Sequence, residues 1–192
     1  GTNNSAVGSG TLQYNTTATA NTAVGSYALG KNTTGTTNTA IGHKAMEDSL
    51  TGHSNVVIGN HAFDEATNRN YNVHVGVEAG RGGGAHNNVS VGFRAIGNAA
   101  TSSTGDDNVA IGVKALEDCT SGNDNTAVGA YAALNLTTGA RNIAVGYEAL
   151  GAITTGDNNV AVGAFALDAA TTASANTALG YRAGTNLTTG GN

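Results

Sequence analysis

The chain has 192 residues, a net charge of −5 and only 11% charged residues, and it contains 29 glycines but neither proline nor tryptophan. The scarcity of Lys and Arg argues against nucleic acid as a partner, because nucleic-acid-binding proteins carry clustered basic residues. We find no apolar run of membrane-spanning length and no signal peptide, so we expect no membrane insertion of this segment. Residue 1 is already in the approach to the first repeat, which suggests a processed or excised piece.

A nine-residue phrase, Asn-x-[Ala-like]-[Val/Ile]-Gly-x-x-Ala-[apolar], occurs eleven times along the chain. The interval between successive phrases is 17 residues, apart from one interval of 16 and one of 20. Self-similarity at a short fixed period is typical of a solenoid, in which each repeat is one coil stacked on its neighbours. We call the Asn of each phrase position one, and it falls at Asn4, Asn21, Asn38, Asn55, Asn72, Asn88, Asn108, Asn125, Asn142, Asn159 and Asn176.

Each coil is predicted to begin with a short strand over positions two to four. Positions two and four are Thr or branched aliphatic residues in nearly every coil, and alternation of this kind indicates an extended segment with two faces. β-Branched residues suit a half-buried pleated surface. We therefore expect positions two and four to be the buried face, with Val24, Ile58, Val128 and Val162 among the most buried residues. Position three, mostly Ala, is then expected to face away from the core.

Position five is glycine in every coil, and we interpret it as a corner at which the chain bends into a second short strand. Glycine adopts backbone angles and permits close approaches that a Cβ would prevent. Ala at position eight and a large apolar residue at position nine follow, and about eight polar residues of turn-forming type then return the chain to the next Asn. The predicted corner residues are Gly8, Gly25, Gly42, Gly59, Gly76, Gly92, Gly112, Gly129, Gly146, Gly163 and Gly180.

The sequence therefore predicts an all-β fold, a β-solenoid of about eleven 17-residue coils. A helical interpretation fails, because the glycine and asparagine content and the regular breakers leave no stretch of helical length. We assign residues 1–192 to a single domain. The coil spacing is irregular around residues 80–107, where Gly80–His86 is glycine-rich; we interpret this as a surface loop variation, with a hinge as the alternative.

The phrase Asn-[Ser/Thr/Val]-Ala-[Val/Ile]-Gly resembles the head repeats of trimeric autotransporter adhesins of the YadA type. It is also similar to the Asn-Thr-Ala-[Val/Ile]-Gly-Tyr-x-Ala-Leu arrays of phage tail fibres, which Tyr147-Glu148-Ala149-Leu150 and Tyr181-Arg182-Ala183 match closely. The resemblance covers all eleven coils, although the adhesin heads have a shorter coil. It implies a left-handed β-roll, assembly as a homotrimer, and a structural or adhesive role outside the cell, on a cell surface or a virion.

Several side chains are candidates for binding, each with a structural alternative. Aromatic residues after the corner glycine could contact a cell-surface or glycan receptor, or could cover apolar edges. The candidate recognition residues are Tyr27, Phe93, Tyr131, Tyr147, Phe165 and Tyr181. The Asn at position one could form an amide ladder from coil to coil, or could serve to adopt an unusual backbone angle.

We expect no cofactor and no metal site. Asp-bearing returns such as Gly105-Asp106-Asp107 could supply oxygen ligands to Ca²⁺, but local turns that bond to backbone N–H groups are favoured. The five histidines follow no metal spacing; His74 alone is at position three, where three copies on a threefold axis could hold a metal or an anion, with a packed imidazole as the favoured alternative. Cys119 has no partner for an internal disulfide and is expected to be incidental.

No nucleophile–base pair, carboxylate pair or phosphate loop is recognisable, so we do not expect an enzyme. The leading hypothesis is a non-enzymatic rod of an extracellular trimeric adhesin or tail fibre. We expect the trimer to pack through the small residues at position three, which would let the backbones approach closely: Ala6, Ala23, Ala40, Ala110, Ala127, Ala144, Ala161 and Ala178. The alternatives are an ice-binding β-solenoid and a subunit of an extracellular filament stacked end to end.

Overall fold

The predicted β-solenoid is confirmed in a computed structural model that describes residues 1–65, 67–82, 85–97 and 103–189. Each coil contributes one three-residue strand at positions two to four, and the strands form a single parallel sheet in chain order. The described residues contain no helix. The strands are β1 (Ser5–Val7), β2 (Thr22–Val24), β3 (Thr39–Ile41), β4 (Val56–Ile58), β5 (Val73–Val75), β6 (Val89–Val91), β7 (Val109–Ile111), β8 (Thr126–Val128), β9 (Ile143–Val145), β10 (Val160–Val162) and β11 (Thr177–Leu179).

The sheet keeps one register throughout, so that each position lies above the same position of the next coil. Ala23 pairs with Ala40 in the regular part of the chain. The pairing also continues across the two irregular intervals, where Val73 pairs with Val89 and Val89 with Val109. The one-residue deletion and the three-residue insertion are therefore accommodated outside the sheet. Within the glycine-rich segment, residues 83 and 84 lie outside the described residues, and His86 forms an isolated bridge with Asn70.

The predicted assignment of the two strand faces is wrong. Position three is the interior face: Ala23 and Ala161 are fully buried. Positions two and four point outward, with Val24 36% and Ile58 37% exposed and Val128 and Val162 only partly buried. A small side chain suits position three in most coils because a coil of this size encloses a narrow interior. The buried alanines therefore fill the interior of their own coil and are not an open surface for a partner. Only the terminal coil departs from this, since Ala6 is exposed.

The predicted second strand is also absent from the described coils, because the segment after the corner glycine is a series of overlapping turns. In coil two, Ala28 N donates to Gly25 O at 3.4 Å, Gly30 N to Tyr27 O at 3.0 Å and Asn32 N to Leu29 O at 3.2 Å. Positions seven and nine carry positive φ, as in Tyr27 at 58° and Leu29 at 49°. This winding directs the side chains of positions eight and nine into the interior.

The corner glycines have the backbone geometry that the sequence predicts. Their φ angles lie between 121° and 147°, a region that side-chain-bearing residues rarely enter. The glycines also stack closely: a Cβ on Gly8 would lie 2.6 Å from the carbonyl oxygen of Gly25. Both the angle and the contact disfavour any other residue at this corner, except at Gly180 in the last coil, where only the angle does so.

The interior is built from columns of equivalent positions. Positions three, eight and nine contribute Ala, Ala and a large apolar residue, and position twelve adds a column that the sequence analysis missed. Its members vary in chemistry and share only their stacking, which conceals the column from a search for repeated residue types. The buried members of this column are Asn32, Ser49, Cys119, Leu136, Ile153 and Ala170.

The Asn residues at position one form a continuous buried ladder, which confirms the first of the two interpretations given for them, an amide ladder from coil to coil. The Asn21 backbone N–H and Nδ2 both donate to Asn4 Oδ1, at 2.9 and 3.2 Å. Nδ2 also donates to Gly35 O at 2.8 Å. The alternative of an unusual angle at the Asn does not hold, because the positive φ belongs to the residue before it, such as Ala20 at 57°. The ladder stabilises the stack because it pairs buried amides from coil to coil.

Candidate functional surfaces

The outward face of the sheet carries an aliphatic stripe, which we define as the residues at positions two and four of the eleven coils. Ile41, Val56, Ile111 and Ile143 in this stripe are each between 38% and 41% exposed. Thr occupies position two in β2, β3, β8 and β11. Because the parallel register never slips, like positions are stacked along the whole sheet. The stripe is thus a long, narrow and regular surface of β-branched side chains.

Four of the six candidate aromatic residues come together in the last four coils. Successive rings meet edge to face, with centroid distances of 5.8 Å for Tyr131–Tyr147, 5.3 Å for Tyr147–Phe165 and 6.2 Å for Phe165–Tyr181. The Arg182 guanidinium lies 5.7 Å from the Phe165 ring centroid. The ladder leaves Tyr147 44% and Tyr181 70% exposed, so its rings remain available to a ligand.

The other two candidate aromatics are isolated from this ladder. Tyr27 is in coil two, with its ring beside Gly10, and Phe93 is in coil six, with the guanidinium of Arg94 5.7 Å from its ring centroid. Both are about two-fifths exposed, at 41% and 42%. The structure therefore supports one clustered aromatic surface and two separate rings.

Charged side chains occupy position seven, position ten or both in coils three to seven, where they form ion pairs within and between coils. Lys44 pairs with Glu47 at 3.2 Å and Lys114 with Glu117 at 3.0 Å. Arg94 bridges Glu78 at 2.6 Å and Glu117 at 3.3 Å, and its hydrogen bond to Glu78 lowers the pKa of that carboxyl. Such exposed pairs individually stabilise little. Their arrangement shows that the surface between the columns of positions seven and ten, which we call the groove, accepts cations beside carboxylates.

The Asp-bearing returns form a second ladder, and the predicted local turns do not account for it. Asp106 Oδ1 accepts from His86 N at 2.7 Å, and Asp157 Oδ1 accepts from Ala140 N at 2.7 Å. Asn70 Oδ1 does the same for His53 N at 2.9 Å. In each case the side chain lies two residues before the next position-one Asn, which is position sixteen of a 17-residue coil, and bonds to the backbone of the preceding coil. Across the described ranges no group of three or more His, Cys, Asp or Glu side chains is placed to hold a metal ion.

His74 is not on an outer face, so the threefold-axis alternative does not hold and the favoured interpretation, a packed imidazole, is confirmed. It is fully buried inside coil five, packed at 4.4 Å between ring centroids against Phe63, with Nδ1 2.6 Å from Ser90 Oγ. Burial lowers the pKa of His74 to about 3, which keeps the imidazole neutral. Cys119 is likewise an interior side chain, and burial raises its pKa to about 11. Neither side chain is placed to act on a solvent-borne ligand.

Comparison of the chain with protein-family models, with curated proteins and with solved structures finds no match in any of the three. No helix within the described ranges is long and apolar enough to span a bilayer. The class that the fold defines is a repetitive parallel β-solenoid with an aliphatic stripe on one face and an aromatic ladder in its last coils.

Proposed function

We propose that this chain is a non-enzymatic structural rod of an extracellular trimeric assembly, such as a surface adhesin or a phage tail fibre. The rod is an eleven-stranded parallel sheet without a break in strand order. With strands about 4.8 Å apart, such a sheet spans on the order of 50 Å. A stack of this kind suits a spacer, because each coil adds the same increment of length and contacts only its neighbours.

The observation that carries the proposal is the aliphatic stripe. Its dimensions, roughly 50 by 10 Å, approach the largest apolar patch that monomeric proteins usually expose. β-Branched side chains in strict register offer a flat surface on which a second and a third copy could pack side by side. The trimer interface that we propose is therefore this stripe, and it replaces the alanine face expected from the sequence.

The aromatic ladder supports a contact role in addition to the role of spacer. Exposed Tyr and Phe rings on a rigid scaffold are effective contact groups, because they present large amphipathic surfaces at low conformational cost. We propose a cell-surface receptor, for instance a glycan, as the partner of this ladder.

Sedimentation analysis of the purified chain tests the assembly. For the wild type we expect the mass of a trimer. For Ile111→Asp and Ile143→Asp we expect the mass of a folded monomer, because each substitution would bury a charge in the proposed interface. Val113→Asp is the matched control, because Val113 is 41% exposed at position six, outside the stripe, and its variant should remain trimeric. A wild-type monomer with a native circular dichroism spectrum would rule the trimer out.

The same stripe favours one other candidate function, binding to ice. Thr and Val side chains at a fixed spacing on a flat parallel sheet could order water if the face remained open in solution. A monomer that shows thermal hysteresis, lost in Thr39→Lys, would support this function over the rod. A trimer without thermal hysteresis would exclude it.

A further inference from the structure

A cavity opens on the surface of coils eight to ten, between the columns of positions seven and ten. Its volume is about 320 Å³, which is enough for the end of a long side chain or a small molecule. The wall residues that matter for its chemistry are Tyr131, Asn135, Glu148, Gly151, Ala152 and Asp168. It does not include the positions of the aliphatic stripe.

One other coil shows what can fill this place. In coil five, position ten is Arg81, whose Nη1 lies 3.4 Å from Glu78 Oε1 at position seven of the same coil. Its Nη2 lies 2.9 Å from Glu65 Oε1 at position eleven of the preceding coil. The equivalent residues around the cavity are Gly151, Glu148 and Asn135. Coil nine therefore keeps a carboxylate at position seven but has no side chain at position ten.

The carboxylates of the cavity lack the cation that their counterparts have. Elsewhere in the groove Glu47, Glu78 and Glu117 are all ion-paired. Neither Glu148 nor Asp168 forms an ion pair with a residue in the described part of the chain. The neighbouring Glu148 carboxylate raises the pKa of the Tyr147 hydroxyl. Asn135 Nδ2 is engaged with Gly151 O at 2.5 Å and cannot neutralise a carboxylate.

We propose that this cavity binds an alkylguanidinium group, such as the arginine side chain of a partner polypeptide. The guanidinium would take the place that Arg81 occupies in coil five, with its planar donors directed to Glu148 and Asp168. Tyr131 adds an aromatic wall beside the cation. The small residues Gly151 and Ala152 leave the entrance open. This binding depends only on one chain, so it is independent of the trimer proposed above.

Titration of the full chain with acetyl-Gly-Arg-Gly-amide, followed by NMR at low ionic strength, tests the proposal. We expect saturable shifts of resonances from the cavity residues, and binding at least about tenfold weaker for the citrulline peptide, which is neutral and nearly isosteric. Added salt should weaken the binding of the arginine peptide. Methylguanidinium separates the two sources of the group: equal affinity assigns the cavity to a free small cation, and tighter peptide binding assigns it to a polypeptide.

Three substitutions localise the binding. Gly151→Arg should abolish it, because the new side chain supplies the missing cation. The nearest atom to a Cβ at this residue would be Glu148 O at 3.1 Å, so the fold should tolerate the substitution. Glu148→Gln and Asp168→Asn, isosteric and at the surface, should each weaken binding about tenfold. Gly30→Arg, at position ten of coil two, and Glu47→Gln are the matched controls and should bind as the wild type does.

Three outcomes would overturn the proposal. Equal binding of the arginine and citrulline peptides would show that charge is irrelevant. Unchanged binding by folded Gly151→Arg would place the ligand elsewhere. Cavity shifts with glucose or galactose, or with Ca²⁺, in the absence of shifts with the arginine peptide would assign the cavity to a sugar or to a divalent ion.

Discussion

At the scale of the residue, the coil depends on positive φ angles at residues other than glycine. Positions seven, nine and seventeen adopt them in successive coils, as Tyr27 at 58°, Leu29 at 49° and Thr37 at 58° show for coil two. Each such residue costs about 1–2 kcal/mol relative to an ordinary conformation. Hydrogen bonds between coils offset this cost: Tyr27 N donates to Ser9 O at 2.8 Å and Thr37 N to Thr19 O at 3.1 Å.

Ala20→Gly is expected to stabilise the protein. Ala20 is exposed with φ 57°, so its methyl group gains little from packing and is strained by the backbone. Relief of that strain exceeds the entropy cost of glycine, and we expect a net gain of up to about 1 kcal/mol, measured as a rise in Tm. Ala164→Gly is the control, since Ala164 is not among the positive-φ residues, and it should lose about 0.5–1 kcal/mol. Equal losses from both would contradict the strain argument.

At the scale of the element, strand β5 and the turn that follows it exchange volume: a larger side chain in the strand compensates for a missing side chain in the turn. His74 stands where most other coils have Ala, and Gly80 stands where most of them have a large apolar residue. The two meet: a Cβ on Gly80 would lie 2.5 Å from His74 Nδ1. The imidazole thus fills the space that a position-nine side chain normally fills. It also separates two apolar clusters of the core, one in coils two to four and one from coil six onward.

The pair His74 and Gly80 should behave as a coupled unit in a double-mutant cycle. His74→Ala alone leaves a cavity and should cost about 2 kcal/mol or more, and Gly80→Leu alone collides with the ring and should cost about 1–3 kcal/mol. Together they restore the pattern of the other coils, because position nine already tolerates Leu at positive φ, as in Leu29. We expect the double variant to approach wild-type stability in denaturant unfolding. Additive losses would refute the exchange of volume.

The same double variant should respond less to acid. The pKa of His74 is about 3 in the fold, below its ordinary 6.5, so the unfolded chain binds the proton more readily. The stability that the neutral, buried imidazole of His74 contributes to the wild type is therefore fully present above pH 6.5 and is lost as the pH falls toward 3. The stability difference between wild type and double variant should shrink or reverse across that window.

At the scale of the whole molecule, the solenoid is a one-dimensional stack with nearest-neighbour contacts. Its sheet, its Asn ladder and its position-sixteen ladder all connect a coil only with the next one. Stability in such a stack is approximately a sum of coil terms and interface terms. The register, and not the identity of any one coil, is what holds the molecule together.

Removal of one complete coil, residues 125–141, should therefore leave a folded rod. Asp124 would precede Asn142 as it now precedes Asn125, so that every column stays aligned. We expect an unchanged circular dichroism spectrum per residue, a Tm lowered by the loss of one interface, and a rod shorter by about 4.8 Å in small-angle scattering. Removal of residues 125–133 is the control: it deletes strand β8 and leaves residues 134–141 as an insertion that belongs to no complete coil, so it should lower the Tm further than removal of the complete coil. If both deletions fold equally well, register is not the organising feature.

The sequence by itself determined the architecture, because a period of 17 residues, kept in all but two intervals, is typical of coils in which equivalent residues stack. The strand at positions two to four, the corner glycines and the Asn ladder all followed from which residue types recur at one position. Recurrence could not find columns such as position twelve, where Asn32, Cys119 and Leu136 have only their place in common. Nor could it find the cavity beside Glu148, which depends on Gly151 at position ten lying next to side chains from two neighbouring coils.

Only the tertiary structure decided which face of the strand is inside. Alternation with period two shows that Thr22 and Val24 share a face and that Ala23 lies on the other, but it is the same for either assignment. Hydrophobicity favours burial of the larger side chains, whereas the observed coil buries the smaller one. The physical reason is volume: the turns after Gly25 send Ala28 and Leu29 into the same narrow interior, which leaves room at position three for little more than a methyl group.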